Sequence, residues 1–127
     1  MSKEIVRTEK APEAIGPYSQ AVKYGNLVFT SGSIGIDPVT GAFPEGGLQT
    51  QAKQCLENLK VILEASGSRL ENVLKTTVFI KDMNDFSKIN EIYGQYFTEK
   101  QPGRSCVEVA RLPKDALIEI EAVAFTE

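Results

Sequence analysis

The segment Gly103-Arg104-Ser105-Cys106-Val107-Glu108-Val109 sets a permanently charged guanidinium close to a thiol and a carboxylate. Successive side chains of an extended chain point to opposite sides, so Arg104 to Val109 reads as a strand. Arg104, Cys106 and Glu108 then share one face, and Val107 and Val109 form a core-facing pair on the other. The stretch Leu117 to Ala124 repeats the pattern: Ile118, Ile120, Ala122 and Ala124 alternate with Leu117, Glu119, Glu121 and Val123. If these two strands pair and turn their aliphatic rows inward, Arg104, Cys106, Glu108, Glu119 and Glu121 meet on an uncovered face. Such a mixed apolar and charged face suits an oligomer interface with a polar pocket at its edge.

Two fates are open to Arg104. It can bridge to a glutamate on a neighbouring strand, a common cross-strand pair. Alternatively it receives a carboxylate ligand, for which its planar fork offers two parallel charge-assisted bonds. A nearby glutamate, partly desolvated and raised toward neutrality, could then give and take protons from a water. Cys106 lacks an imidazole to activate it, although the charge of Arg104 would lower its pKa.

Three further residues stand where a pocket could use them. Asn90 sits at the edge of an apolar helical stripe, where a polar amide needs partners, either a nearby loop or a ligand. Tyr18, delivered by the rigid Gly16-Pro17, can pack with its hydroxyl in water or cover a ligand. Ser31 ends a strand beside Gly32, where backbone can approach another group closely; an ordinary turn serine would look the same.

The rest of the composition narrows the chemistry. The chain has 127 residues and no histidine, which removes the commonest acid/base group and metal ligand. Ser31 therefore belongs to no Ser-His-Asp triad. Cys55 and Cys106 are far apart and show no zinc spacing, so neither a structural nor a catalytic zinc is expected. Net charge is −3 with scattered Lys and Arg, which argues against nucleic acid as a partner. No run of about 20 apolar residues suggests a membrane span, and the N-terminus lacks an apolar leader, so the expected compartment is the cytoplasm.

These groups must be held by a frame that the periodicities outline. A chain of this length is expected to form a single domain over residues 1–127. Gly25-Asn26 joins two short strands, Ala21 to Tyr24 and Leu27 to Ser31, as a hairpin. A breaker-rich loop follows, with a turn at Asp37 to Gly41. Leu48 to Ala65 repeats apolar residues at three and four positions, an amphipathic helix with Cys55 in its buried stripe. Val73 to Ile80 is a β-branched strand expected to be buried on much of both faces. Phe86, Ile89, Tyr93 and Phe97 mark a second helix, and a weak strand is expected at Ile5 to Thr8. The order predicts an α+β fold: a mixed sheet with two helices on one face.

Taken together, GPYSQAV, FTSG, KTTVFIKDMNDFSKINEIYGQYF and RSCVEVARLPKDALIEIEA closely resemble the RidA (YjgF-type) branch of the Rid superfamily, from about Ala11 to Ala124. The resemblance implies a chorismate-mutase-like fold assembled as a homotrimer, with clefts between subunits. It also implies hydrolysis of enamine and imine intermediates such as 2-aminoacrylate and 2-aminocrotonate to 2-keto acids and ammonia. These substrates are released by pyridoxal-phosphate-dependent dehydratases, and the resemblance implies that no metal and no cofactor is used. Carried over by motif, Arg104 clamps the substrate carboxylate and Glu119 orients the water and moves protons. Cys106 contributes mainly its backbone, and Tyr18, Ser31 and Asn90 complete the pocket, Tyr18 from the neighbouring subunit. This chain departs from many relatives at Ser33, Gly35 and Gly103, the first two bearing on substrate range. Two other functions remain to be separated from hydrolysis: a non-catalytic trimer sensing small carboxylate metabolites, and an RNA-acting translation inhibitor or endoribonuclease.

Overall fold

The computed structural model describes residues 2–127, and its seven strands form one mixed sheet. In chain order these are β1 (Glu4–Val6), β2 (Ala21–Tyr24), β3 (Leu27–Thr30), β4 (Ser33–Ile34), β5 (Val73–Ile80), β6 (Gly103–Glu108) and β7 (Ile118–Phe125). Helix α1 (Leu48–Ala65) lies between β4 and β5, and α2 (Phe86–Tyr96) between β5 and β6. Across the sheet the order is β1-β2-β3-β7-β5-β6, with β4 also on β7. Only β5 and β6 run parallel, a pairing that requires a crossover, and α2 supplies it.

Both helices are amphipathic for the reason the spacing suggested. Ala52, Cys55, Leu56, Leu59, Ile62 and Leu63 of α1 are buried, as are Ile89 and Tyr93 of α2. They press on the inward row of the sheet, which includes Val28, Val78, Ile80, Ile118, Ile120 and Ala124, all fully buried. Cys55 is a core residue whose Sγ donates to the carbonyl of Ser33 at 3.0 Å. The turn at Asp37 is also present, closed by Gly41 N–H on the Asp37 carbonyl and Val39 N–H on its carboxylate, both at 2.8 Å.

Three expectations need correction. The early strand covers Glu4–Val6 rather than Ile5 to Thr8. Strand β5 is buried on one face only: Val73, Thr76, Val78 and Ile80 are buried, while Leu74 and Lys75 are exposed. Most consequential, β6 and β7 do not pair, because β5 runs between them.

That insertion reverses the faces of β6. Arg104 aligns with Thr76 and Cys106 with Val78, both of the inward row. Arg104 and Cys106 therefore point to the helix side, while Val107 lies on the outer side and is 42% exposed. Glu119 and Glu121 align with Phe79 and Thr77, on the outer side as expected. The outer face carries Ile5, Leu27, Phe29 and Val107 exposed, with Glu119 among them half-buried. No helix among the described residues is long and apolar enough to cross a membrane.

Candidate active site in two halves

The first half is built on α2 and β6. Phe86, Asn90 and Tyr93 recur at four and three residues along α2, so they form one stripe, and that stripe faces the edge strand β6. Arg104 lies against it. Its Nη1 donates to Asn90 Oδ1 at 2.8 Å, and its guanidinium carbon sits 4.8 Å from the Tyr93 ring centroid and 5.4 Å from that of Phe86. The Tyr93 ring is fixed in turn by a 2.7 Å hydrogen bond between its hydroxyl and that of buried Thr76.

Arg104 is thus held without being neutralised. Among the described residues the ion pairs involve Arg7, Arg69, Lys88 and Arg111, never Arg104. Asn90 takes one of five N–H donors, and the rest of the fork meets no carboxylate among the described residues. The cross-strand salt bridge is therefore not formed. An aromatic bed attracts the cation and steadies it while leaving its edge able to bind an anion. Asn90 serves as a tether for the arginine, rather than tying the helix to a loop.

Cys106, two residues along, packs against the edge of the core. Burial pushes its thiol pKa up, and the charge of Arg104 only partly offsets that. A thiol raised in this way is a poor nucleophile at neutral pH.

The second half lies around the junction of β3 and β4. Ser31 is anchored from both ends: its N–H donates to the Gln20 carbonyl at 2.9 Å and its hydroxyl to the Ser19 carbonyl at 2.5 Å. Gly32 follows, with the side chain of Glu119 directly against it. A Cβ at position 32 would lie 2.6 Å from Glu119 Cδ, so any larger residue would push that carboxyl out of its present place. Burial raises the Glu119 pKa, and the charge of neighbouring Glu121 raises it further. Tyr18 is 49% exposed, and its hydroxyl accepts a 3.3 Å hydrogen bond from Ile15 N–H. Tyr18, Ser31 and Gly32 line a cavity of about 220 Å³.

The six residues singled out from the sequence therefore fall into two sets. Asn90, Arg104 and Cys106 gather on the helix side of β6; Tyr18, Ser31 and Glu119 gather around β3, β4 and the outer face of β7. Within one chain the sets do not meet. Sequence reasoning missed Phe86 and Tyr93 as the arginine's bed and Gly32 as the space for Glu119. The first signal was present, since Phe86-Asn90-Tyr93 is a single helical stripe containing a residue already suspected. No group of three or more His, Cys, Asp or Glu among the described residues is placed to hold a metal ion.

A family model described as endoribonuclease L-PSP matches residues 8–126. A 2-iminobutanoate/2-iminopropanoate deaminase of Salmonella typhimurium is 57% identical over 127 residues, spanning 98% of each chain. A RutC family protein of Pyrococcus abyssi is 55% identical over 127 residues, spanning 100% of each. The crystal structure of the YjgF gene product of Escherichia coli superposes with a TM-score of 0.93 at 50% identity, covering 98% of this chain and 99% of that one.

Proposed function

Because the chain belongs to the endoribonuclease L-PSP family and, within it, to the RidA (YjgF-type) proteins, we propose that it hydrolyses small 2-imino and 2-enamino acids to 2-keto acids and ammonia. The observation that carries this reading is an arginine tethered by Asn90, bedded on Tyr93 and left without an ion-pair partner among the described residues. Its fork suits the carboxylate of such a substrate.

The chemistry asks little more than orientation. An imine carbon is electrophilic, the more so once its nitrogen is protonated, so water can add to it without a covalent intermediate. Addition forms a carbinolamine; proton transfer from oxygen to nitrogen then expels ammonia and leaves the keto acid. Holding the carboxylate on Arg104 makes the attack effectively intramolecular. The Glu119 carboxylate, made more basic by burial and by neighbouring Glu121, accepts a proton from the attacking water and returns it to the departing nitrogen.

We also propose that a second copy of the chain completes the site, in a homotrimer. Arg104 and Glu119 occupy separate halves, and the outer sheet face that carries Glu119 exposes Ile5, Leu27, Phe29 and Val107. Three copies meeting through that face would bring one chain's Arg104 half to its neighbour's Glu119 half. Contacts of this head-to-tail kind close into a ring.

The test is to generate 2-aminoacrylate with a serine dehydratase and follow pyruvate formation in the presence of semicarbazide as a competing trap. The protein should accelerate pyruvate release. Arg104→Ala should lower kcat/KM by about 10²-fold, the equivalent of two charge-assisted bonds near 1.5 kcal/mol each, with the oligomer's mass unchanged. Tight keto-acid binding without acceleration would instead indicate a metabolite sensor. Salt-sensitive RNA cleavage that survives Arg104→Ala would indicate a nuclease.

A further inference from the structure

We infer that Asn58, a buried amide of α1, is a positioning residue for the reaction: it pins the two-residue strand β4 and, through Gly32, sets the place of the Glu119 carboxyl. This rests on the imine-hydrolase reading above and adds to it a residue that acts without touching substrate.

Asn58 is 1% exposed and stands among the buried apolar residues of α1, where a polar amide must find partners. It finds two of them on the strand beneath. Its Nδ2 donates to the carbonyls of Ile34 and Ile36 at 3.0 and 2.8 Å, the last residue of β4 and one just beyond it. The amide is held in that orientation by Gln54, whose Nε2 donates to Asn58 Oδ1 at 2.9 Å. Cys55, three residues earlier on the helix, takes the Ser33 carbonyl. The carbonyls of Ser33, Ile34 and Ile36 are thus all met by side chains from one face of α1.

Strand β4 needs such an anchor. It spans only Ser33–Ile34, flanked by Gly32 and Gly35, and glycine-rich strands specify their own register weakly. Strand β7, by contrast, is paired with β5 along most of its length. Ile34 stands opposite Glu119 in the pairing of β4 with β7, and Gly32, the residue before β4, lies against the Glu119 side chain. A shift of β4 therefore changes the space left for that carboxyl. Misplacing a reacting group by about 1 Å can cost on the order of 10²-fold in rate. Arg104 depends on α2 instead, through Asn90, Tyr93 and Phe86. Loss of the Asn58 anchor should disturb proton transfer and spare carboxylate binding.

The experiment compares two variants with the wild type. Asn58→Leu nearly keeps the side chain's shape and removes both donors. Gln54→Leu, at a half-buried position, leaves the donors in place and frees the amide to turn. Hydrolysis of 2-aminoacrylate is followed against semicarbazide, per folded oligomer of unchanged mass, and calorimetry with pyruvate reads the Arg104 half. Asn58→Leu should lower kcat/KM by at least about tenfold while the pyruvate Kd stays within about twofold of wild type. Gln54→Leu should show a smaller loss with the same split, and decides alone if Asn58→Leu does not fold. Activity per folded oligomer that neither variant changes, or pyruvate affinity that falls in step with activity, overturns the positioning role.

The anchor and the proposed function fail separately. A carbon-13 label on the glutamate carboxyls, with the Glu119 signal assigned by its loss in Glu119→Gln, reports that group's surroundings whether or not an imine is hydrolysed. Held against Gly32, the Glu119 carboxyl is half-buried, and burial is the main cause of its raised pKa. Asn58→Leu should let it move toward water and bring the titration down toward the ordinary glutamate range, with the charge of Glu121 still beside it. A wild type that hydrolyses no imine refutes the proposed function. An unchanged Glu119 titration in folded Asn58→Leu refutes the anchor.

Discussion

Arg104 and Glu119 point to opposite sides of one sheet. Arg104 aligns through Thr76 with the buried row beneath the helices, whereas Glu119 aligns with Phe79 on the outer face. The strand between them, β5, keeps the two groups apart within a chain. On the proposed reading, any joint action of the two has to cross an interface between copies of the chain.

That separation predicts complementation. Arg104→Ala and Glu119→Gln should each keep on the order of a hundredth of wild-type activity or less when alone. Each retains the half that the other lacks. Unfolding and refolding an equal mixture should restore about one quarter of wild-type activity if trimers assemble at random, because three in four are mixed and each of those holds one intact site in three. Mixing without exchange should restore nothing. Activity absent after verified exchange would show that both residues act from the same chain.

The ring under Arg104 predicts a division between binding and chemistry. Tyr93→Leu removes the nearer of the two rings and should raise KM by about 2- to 30-fold, as expected for a cation–π contact of about 0.5 to 2 kcal/mol, with kcat little changed. Tyr93→Phe keeps the ring and should restore KM. It also leaves the buried Thr76 hydroxyl unpaired, at a cost of about 1 to 3 kcal/mol in stability. Adding Thr76→Val should recover much of that loss, because both polar partners are then gone. Steady-state kinetics and denaturant unfolding of the three variants check the pattern; a KM that stays high in Tyr93→Phe would refute the role of the ring.

Glu119 predicts a pH-dependent stability with a defined sign. Burial first, and Glu121 second, raise its pKa in the folded chain. The folded state then holds the proton more tightly than the unfolded one. This contribution to stability is complete below the ordinary glutamate value of about 4.3 and is lost as pH rises through the raised value. Glu119→Gln should therefore melt at a higher temperature than wild type at pH 8 and at nearly the same temperature below pH 4. A variant less stable at pH 8 would contradict the assignment.

The sequence by itself determined the local elements and the kinds of group available for chemistry. Helix α1 spans Leu48–Ala65 and β5 spans Val73–Ile80, the limits that periodicity indicated. These elements are specified by short-range patterns: a three- and four-residue repeat that stops at Ser66-Gly67, and a β-branched run bounded by turn residues. Arg104, Asn90 and Glu119 were also visible, as polar groups set in otherwise apolar patterns. Strand β4 was not visible, because two residues in a glycine-rich loop carry no period, and its pairing with β7 supplies the order.

Only the tertiary structure decided which side each face met. Alternation says that Arg104 and Cys106 share a side; it cannot say whether helices or solvent cover it. That depended on β5 entering between β6 and β7, through pairings between residues far apart in the chain. Val107 looked like core and lies on the outer face, while Arg104 looked like an outward residue and lies on Tyr93. The stem of an arginine can pack along apolar surface while its head remains polar, so a strand at the sheet edge accepts it on the helix side. The separation of the candidate residues into two sets follows from that one long-range arrangement.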